Sequence, residues 1–336
     1  MKYKNLFLAV IVGAIIFSGC TKERKIGEYG NLVTKTVEQD NSIPSISVNG
    51  TKLHSEVFGD ANDPIIIVLH GGPGADYRSL LNCKQFATQG YKVVFYDQRG
   101  SGLSKRHSKD SYTLQTQEDD LKAVITFYKT FASQKVFLLG HSWGAILATA
   151  YINRFNSNLN SKINGVVLAE PGGLIWDDIK DYVKRSRDYK FGSELMTDAL
   201  YLDQFISGKN VNDHAILDYK LGLQAVTDGA KDNPIGNEGP VTFWRNGAVV
   251  NKALTELAEK AKPNYTTNLS GFTTKVLFAY SENNKAYGID HAQKVSLPFP
   301  NKQLFKVNGA GHDMFSFSTG WSNFYPVALV YFNSLR

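Results

Sequence analysis

A serine flanked by glycines is the first candidate for chemistry in this sequence. The pentapeptide Gly-His-Ser-Trp-Gly occupies Gly140–Gly144, directly after the apolar run KVFLLG and directly before AILATAYI, a good helix-forming stretch. A strand, a sharp turn and a helix in this order expose a serine hydroxyl at the carboxyl end of a sheet. Glycines around the turn remove the Cβ atoms that would otherwise collide there. The sequence therefore predicts Ser142 as a nucleophile for acyl transfer.

A serine hydroxyl needs a base to take its proton, and backbone amides must stabilise the oxyanion that forms. Of the seven histidines, His312 has the most suitable position, because it lies in NGAGHDMF between the apolar run QLFKV and the last helical stretch. The segment HGGPG (70–74) leaves another apolar run with three glycines. The amides of Gly72 and Trp143 are the natural pair for an oxyanion hole.

The acid that would orient His312 has two candidates. Glu170 ends the apolar run GVVLAE directly before Pro171, and a charged residue in that position needs a reason to be there. Glu282 lies in the loop that follows the apolar run KVLFAY. Glu170 is the preferred acid and Glu282 the alternative, while a site without any acid is a third hypothesis.

Short apolar runs predict the strands that would position these residues. They alternate with helical stretches, which indicates a mostly parallel, doubly wound α/β sheet buried on both faces. Ahead of them, SISVNG and TKLHSEVFG joined at Asn49-Gly50 predict a hairpin. The buried strands are predicted at Ile65–His70, Lys92–Asp97, Lys135–Gly140, Gly165–Glu170 and Lys275–Tyr280, and the helices between them at Ser79–Gln89, Gln117–Phe131 and Trp143–Phe155.

This alternation stops for nearly a hundred residues after Glu170. The intervening sequence is helical and rich in aromatic residues, without another buried-strand run. We therefore predict a core domain over residues 45–170 and 269–336, with a helical cap lobe inserted over residues 171–268.

The N-terminus has the pattern of an export signal. Lys2 and Lys4 precede an apolar run over Leu6–Phe17, too short to span a bilayer comfortably, and small residues follow. The ending FSGC resembles the lipobox of bacterial lipoproteins, which implies a signal peptide over 1–19 and lipidation of Cys20. Residues 20–44 would then be a tether, and the protein would be membrane-anchored in the bacterial cell envelope. An uncleaved membrane anchor is the alternative, and both hypotheses place the domain outside the cytoplasm.

Charge, cysteine content and motifs argue against nucleic-acid binding, an internal disulfide and a metal site. Removal of the signal would lower the formal net charge from +6 to +4, and no basic stripe is interleaved with aromatic residues, so nucleic-acid binding is not expected. Cys83 is the second of two cysteines, which leaves no internal disulfide if Cys20 is lipidated. The sequence carries no metal-binding motif, and the predicted chemistry needs no cofactor.

Four motifs together resemble one enzyme superfamily. HGGPG (70–74), YDQRGSGLS (96–104), GHSWGA (140–145) and GHDMF (311–315) are similar to the α/β-hydrolase superfamily, and most similar to its proline iminopeptidase-like branch. The resemblance implies the fold predicted above. It also implies that Asp97 and Arg99 are structural residues that brace the loop below the site.

The resemblance also raises a question about the acid. The family usually places an aspartate in a Gly-x-x-Asp turn after the strand that here reads KVLFAY. In this sequence, Ser281 stands in place of that glycine and Asn284 in place of the aspartate. Some α/β-hydrolases take the acid from the end of the preceding strand, which is the position of Glu170.

These residues predict an exported serine hydrolase that acts through an acyl-enzyme. The resemblance favours a proline iminopeptidase-like aminopeptidase acting on short peptides or small molecules. Such an enzyme needs carboxylates for the substrate ammonium group, and the cap offers Glu194, Glu238 and Glu256 without a recognisable pattern. A carboxylesterase or lactonase is the alternative. A catalytically inactive, lipid-anchored binding protein is the hypothesis from a different class.

Overall fold

An eight-stranded sheet forms the centre of the protein in a computed structural model that describes residues 33–155, 162–186, 211–228 and 233–336. The strand order across the sheet is β1-β2-β4-β3-β5-β6-β7-β8. The strands are β1 (Ser45–Val48), β2 (Thr51–Phe58), β3 (Ile65–Leu69), β4 (Lys92–Tyr96), β5 (Val136–His141), β6 (Gly165–Ala169), β7 (Val276–Ser281) and β8 (Lys302–Val307).

The sheet is antiparallel at one edge and parallel from β4 to β8. The predicted hairpin joins β1 to β2, and Asn49 and Gly50 both adopt positive φ there. β2 then pairs with β4 in the antiparallel sense, and every later pairing is parallel. The fold class predicted from the alternation of strands and helices is confirmed.

Both faces of the parallel strands are buried, because helices cover the sheet on each side. In β3, Ile65 and Ile67 join the core on one face of the sheet, while Ile66 and Val68 join the core on the other. All five residues of β3 are buried. This explains why the strand reads as a continuous apolar run rather than an alternating one.

Seven α-helices lie in the described part of the chain. They are α1 (Leu114–Tyr128), α2 (Trp143–Phe155), α3 (Trp176–Ser186), α4 (Val211–Asp228), α5 (Ala248–Ala261), α6 (Gly288–Ser296) and α7 (Ser318–Leu335). The prediction of an ordinary helix at Ser79–Gln89 was wrong in type, because the chain forms 3₁₀ turns over Tyr77–Gln89. None of the described helices is both long and apolar enough to cross a bilayer.

The cap lobe contributes α3, α4 and α5 between β6 and β7. Its described part holds one isolated β-bridge, Ile175 with Asn264, and no strand. This bridge brings the beginning and the end of the cap together. Glu194 lies outside the described residues.

The packed domain begins earlier than the predicted boundary at residue 45. Val37 is fully buried, and its amide donates to the carbonyl of Leu103 at 2.8 Å. The hydroxyl of Thr34 donates to the carbonyl of Trp244 at 3.1 Å. The prediction of a tether was therefore wrong for residues 33–44, because a polar sequence without periodicity can still satisfy its hydrogen bonds on a folded surface. Residues 1–32, which include the predicted signal and Cys20, lie outside the described residues.

Candidate active site

Ser142 occupies a sharp turn between β5 and α2. Its φ is 54°, an uncommon conformation for a residue with a side chain, and its amide donates to the carbonyl of Ala169 at 2.8 Å. A Cβ on Gly140 would lie 2.5 Å from the carbonyl oxygen of Gly144, and a Cβ on Gly144 would lie 2.1 Å from that of Leu69. Only glycine fits at positions 140 and 144, because the backbone segments around the turn of Ser142 lie too close for a Cβ atom.

Glu170 lies at the end of the neighbouring strand β6 in a similar backbone conformation. Its φ is 46°, its amide donates to the carbonyl of Ala279 at 3.0 Å, and its side chain is fully buried. Residues with side chains in this region of backbone space are held there by their surroundings and are frequent at active sites. Ser142 and Glu170 thus leave adjacent parallel strands at the same edge of the sheet.

Four hydrogen bonds surround the Glu170 carboxylate. The amide and the hydroxyl of Ser281 donate to Oε1 at 2.7 and 2.6 Å. Asn284 Nδ2 donates to Oε2 at 2.8 Å, and His312 Nδ1 donates to the same oxygen at 2.6 Å. A buried carboxylate is tolerated when it is fully hydrogen-bonded in this way. The two residues that replace the usual acid turn of the family therefore both hold Glu170.

His312 follows β8 in a loop fixed by backbone contacts. Its amide donates to the carbonyl of Ile235 at 2.8 Å, and its carbonyl accepts from His141 Nε2 at 2.8 Å. Burial works against the charged imidazole, but the hydrogen bond and the negative charge of Glu170 outweigh burial and raise the pKa of His312. With Nδ1 donating to Glu170, Nε2 is the nitrogen left to act as a base.

His141 precedes Ser142 but is placed to support the site rather than to act in it. Burial, followed by the positive charge that His312 can carry, lowers the pKa of His141 to about 4. His141 therefore remains neutral near pH 7 and keeps Nε2 as a donor to the His312 carbonyl. The hydrogen bond connects the turn that carries Ser142 to the loop that carries His312.

The HGGPG segment lies beside Ser142, since a Cβ on Gly71 would lie 3.2 Å from Ser142 Cβ. Gly72 is exposed and has φ 123°, a conformation that favours glycine. Trp143 is the first residue of α2, so its amide has no carbonyl partner within the helix. The amides of Gly72 and Trp143 are thus both in segments next to Ser142, and backbone amides of this kind can stabilise an oxyanion.

A hydrogen-bond network fixes these two segments to each other. Gln98 accepts from Trp143 Nε1 at 2.9 Å, and its side-chain amide donates to the carbonyl of His70 at 2.9 Å. The amide of Gln98 also donates to His70 Nε2 at 2.9 Å. His70 therefore holds its loop, and Gln98, which lies in the motif YDQRGSGLS without a predicted role, is a supporting residue of the site.

Tyr182 brings the cap to the other side of the Glu170–His312 pair. Its hydroxyl lies 3.3 Å from His312 Nδ1 and 3.3 Å from Asn284 Nδ2. Burial and the charge of Glu170 raise the pKa of Tyr182 well above its usual value, so the hydroxyl stays neutral. The ring of His291 stacks on that of Tyr182 with centroids 5.7 Å apart. No sequence signal pointed to Tyr182, because its contact depends on where α3 docks.

The other acidic candidates have different partners. Glu282 is exposed, pairs with Lys306 at 2.8 Å and accepts from the amide of Gly309 at 2.9 Å. Glu256 pairs with Lys109 at 2.6 Å and with Lys252 at 3.1 Å. Glu238 is exposed. Among the described residues, no group of three or more His, Cys, Asp or Glu side chains is arranged to hold a metal ion.

Asp97 and Arg99 lie below the site in structural contacts. Asp97 is fully buried and accepts from the amide of Leu103 at 2.7 Å and from His54 Nδ1 at 2.7 Å. Arg99 forms an ion pair with Asp120 at 2.7 Å. Cys83 is buried and free, and burial raises the pKa of its thiol, so it is an inert core residue.

Family comparison agrees with this architecture. The family model described as the alpha/beta hydrolase fold matches residues 64–319. The chain therefore belongs to the α/β-hydrolase family. The match includes the turn of Ser142, the end of β6 and the loop of His312.

One known protein shares part of this sequence, and solved structures share the fold over most of the chain. The proline iminopeptidase of Thermoplasma volcanium is 33% identical over 119 residues, which cover 35% of this chain and 40% of that protein. A proline iminopeptidase-related protein of Thermus thermophilus has a TM-score of 0.59 at 17% identity, covering 87% of this chain and 97% of that one. The enol-lactonase of Burkholderia xenovorans LB400 has a TM-score of 0.57 at 16% identity, covering 86% and 100%. Sequence similarity thus spans well under half of the curated relative, and the structural similarity shows the fold alone.

Proposed function

We propose that this protein is a serine hydrolase that acts through an acyl-enzyme, with Ser142 as nucleophile, His312 as base and Glu170 as acid. The observation that carries the proposal is the 2.6 Å hydrogen bond between His312 Nδ1 and Glu170 Oε2 beside the strained turn of Ser142. Four donors compensate the burial of the Glu170 carboxylate, and its left-handed backbone is of the kind that clusters at active sites. The same observation argues against the inactive binding protein.

In this mechanism, His312 Nε2 takes the proton of Ser142 as the hydroxyl attacks the substrate carbonyl. Glu170 holds the imidazole with Nδ1 protonated and stabilises its positive charge. The amides of Gly72 and Trp143 donate to the oxyanion. His312 then protonates the leaving group. In the second half, His312 takes a proton from the water that attacks the acyl-enzyme and returns it to the Ser142 oxygen as the acid product leaves.

The leading substrate class is a short peptide or related amide, cleaved by an aminopeptidase similar to proline iminopeptidases. The support is the similarity to the Thermoplasma volcanium enzyme over 119 residues and the shared fold of the Thermus thermophilus relative. An ester or lactone is the second candidate. The support for it is that the carboxylate of Glu256 is already paired with two lysines. It is therefore not available for the ammonium group that an aminopeptidase substrate carries.

Parallel assays on the purified full-length protein test the proposal. A prolyl arylamide and a short-chain aryl ester are hydrolysed side by side, with Ser142→Ala as the control. Arylamide turnover that disappears in Ser142→Ala establishes the aminopeptidase, and ester turnover alone establishes the esterase. Turnover of neither substrate contradicts the proposed function and favours the binding protein. Turnover that persists in Ser142→Ala contradicts the proposed mechanism, because another group would then carry the reaction.

The pH dependence of kcat/KM is expected to report the influence of Glu170 on His312. The imidazole must be neutral to accept a proton, so activity falls as the pH drops through the pKa of His312. Glu170 raises this pKa above its usual 6.5, which places the acid limb of the wild-type profile above that value. In Glu170→Gln, the acid limb should move to lower pH. A limb that stays in place would show that Glu170 does not set this pKa.

We also propose that the protein is exported and anchored in the cell envelope through a lipid on Cys20. The support is the basic, apolar and small-residue pattern of residues 1–20. In a bacterial host, wild-type protein should fractionate with membranes and incorporate labelled palmitate. Cys20→Ala should lose the label. Label incorporation that is the same in Cys20→Ala and wild type would contradict lipidation at Cys20.

A further inference from the structure

The segment of the cap that leads into α5 lies directly on the loop that carries Gly72. The amide of Gly247 donates to the carbonyl of Gly74 at 2.6 Å, and Asn251 Nδ2 donates to the carbonyl of Pro73 at 2.7 Å. The amides of Trp244 and Arg245 both donate to Asp76 Oδ2. We call residues 244–251 the strap. The strap thus donates hydrogen bonds to the carbonyls of Pro73 and Gly74 and to the carboxylate of Asp76.

The contact between the strap and the loop is a close approach of backbones. A Cβ on Gly74 would lie 2.4 Å from the carbonyl oxygen of Gly247. A Cβ on Gly247 would lie 2.1 Å from the carbonyl oxygen of Gly100, in the loop after β4. Neither position can accept a side chain without movement of a backbone, so the strap is fitted between the Gly72 loop and the Gly100 loop.

The strap is in turn fixed by the helix before it. Asp218 on α4 is buried, and its Oδ1 accepts from the amide of Ala248 at 2.8 Å, at the first turn of α5. Its Oδ2 accepts from Arg245 Nε at 2.7 Å and from Arg106 Nε at 3.0 Å. The buried Asp218 carboxylate thus holds the strap against α4 through two of these hydrogen bonds.

The chain is thus held by hydrogen bonds both before and after Gly72. On the side of the core, Gln98 holds His70. On the side of the cap, Asn251 and Gly247 hold the carbonyls of the next two residues after Gly72. Gly72 has φ 123°, and a glycine backbone can adopt many other conformations. The direction of its amide therefore depends on the contacts that hold the residues before and after it.

We propose that the strap positions the Gly72 amide for the oxyanion and that Asn251 is a positioning residue of the active site. The inference rests on the proposed function, since it assumes an oxyanion beside Ser142. It assigns the cap a part in catalysis. An oxyanion donor must lie within about 0.5 Å of its productive position, so loss of one support should weaken transition-state stabilisation more than substrate binding.

Two variants of Asn251 and one control test this inference. Asn251→Ala removes the donor, and Asn251→Asp keeps the size of the side chain but replaces the donor with an acceptor facing the Pro73 carbonyl. Thr255→Ala is the control, because Thr255 is exposed one turn later on α5. We measure kcat and KM with whichever aryl substrate the wild type hydrolyses. We also measure inhibition by phenylboronic acid, whose adduct with a serine resembles the tetrahedral intermediate, and thermal unfolding.

Both Asn251 variants should lose about 10-fold or more in kcat, with KM changed by less than about 2-fold, and should bind the boronic acid more weakly by a similar factor. Thr255→Ala should match wild type. Unchanged kcat and boronic-acid affinity in a folded Asn251→Asp protein would overturn the inference, as would a loss confined to KM. Ser142-dependent turnover by wild type separates the two failures, since its absence refutes the proposed function itself.

Discussion

Replacement of Glu170 by Gln is expected to lower kcat by about 10⁴-fold while the protein stays folded. Glutamine has nearly the same size, so the contacts with Ser281 and Asn284 can be partly kept. It has no charge to stabilise the imidazolium that forms on His312, and its amide group can face the imidazole with the wrong hydrogen-bonding pattern. The measurement is steady-state hydrolysis by the variant, with thermal unfolding followed in parallel.

Glu282→Gln is the matched control for this prediction. Glu282 was the alternative acid, it is in the neighbouring loop, and its carboxylate is engaged by Lys306 and Gly309. Its replacement should leave kcat within about 2-fold of wild type, as expected for an exposed ion pair. A large loss in Glu282→Gln with little loss in Glu170→Gln would reverse the assignment of the acid.

Gly144→Ala is expected to have the largest effect on stability, with a loss of about 3 kcal/mol in the free energy of unfolding. Helix propensity alone would favour alanine by about 1 kcal/mol at this position in α2. The added Cβ would lie 2.1 Å from the carbonyl oxygen of Leu69 and 2.6 Å from its carbon, and both atoms belong to the backbone of the sheet. The clash therefore outweighs the propensity, and the displaced turn should also lose hydrolysis by Ser142.

Gly239→Ala provides the comparison for urea unfolding of this variant. A Cβ on Gly239 would meet no atom within 4 Å, so its replacement should change the free energy of unfolding by less than about 0.5 kcal/mol. If Gly144→Ala were as stable as Gly239→Ala and as active as wild type, the tight turn described for Ser142 would be wrong.

The fold was predictable because the strands of a parallel sheet are marked by local sequence. Continuous apolar runs identified β3 to β7, and Asn49-Gly50 identified the first hairpin. Residues 33–44 were not predictable in this way, since their burial comes from single contacts such as that of Val37 with Leu103. The start of α1 was also misplaced by three residues, because Thr113 caps the helix ahead of its apolar face.

Within the site, motifs identified residues but not their partners. Ser142, His312, Gly72 and Glu170 all stand out by type at the end of a strand or in a glycine-rich loop. The roles of Ser281 and Asn284 depend on which oxygen of Glu170 each one faces, and that requires the register of β6 against β7. Cap contacts such as those of Tyr182 with His312 and of Asn251 with Pro73 join residues more than a hundred positions apart, which a single sequence does not encode as a local pattern.

A fluorophosphonate reaction followed by peptide mass spectrometry tests the central assignment most directly, because it needs no knowledge of the substrate. Wild-type protein should carry a phosphonyl adduct on the peptide that contains Ser142. Glu170→Gln should form this adduct at least about 100-fold more slowly, and Glu282→Gln should form it at the wild-type rate. No adduct on Ser142 in the wild type, or equal rates in wild type and Glu170→Gln, would contradict the triad of Ser142, His312 and Glu170.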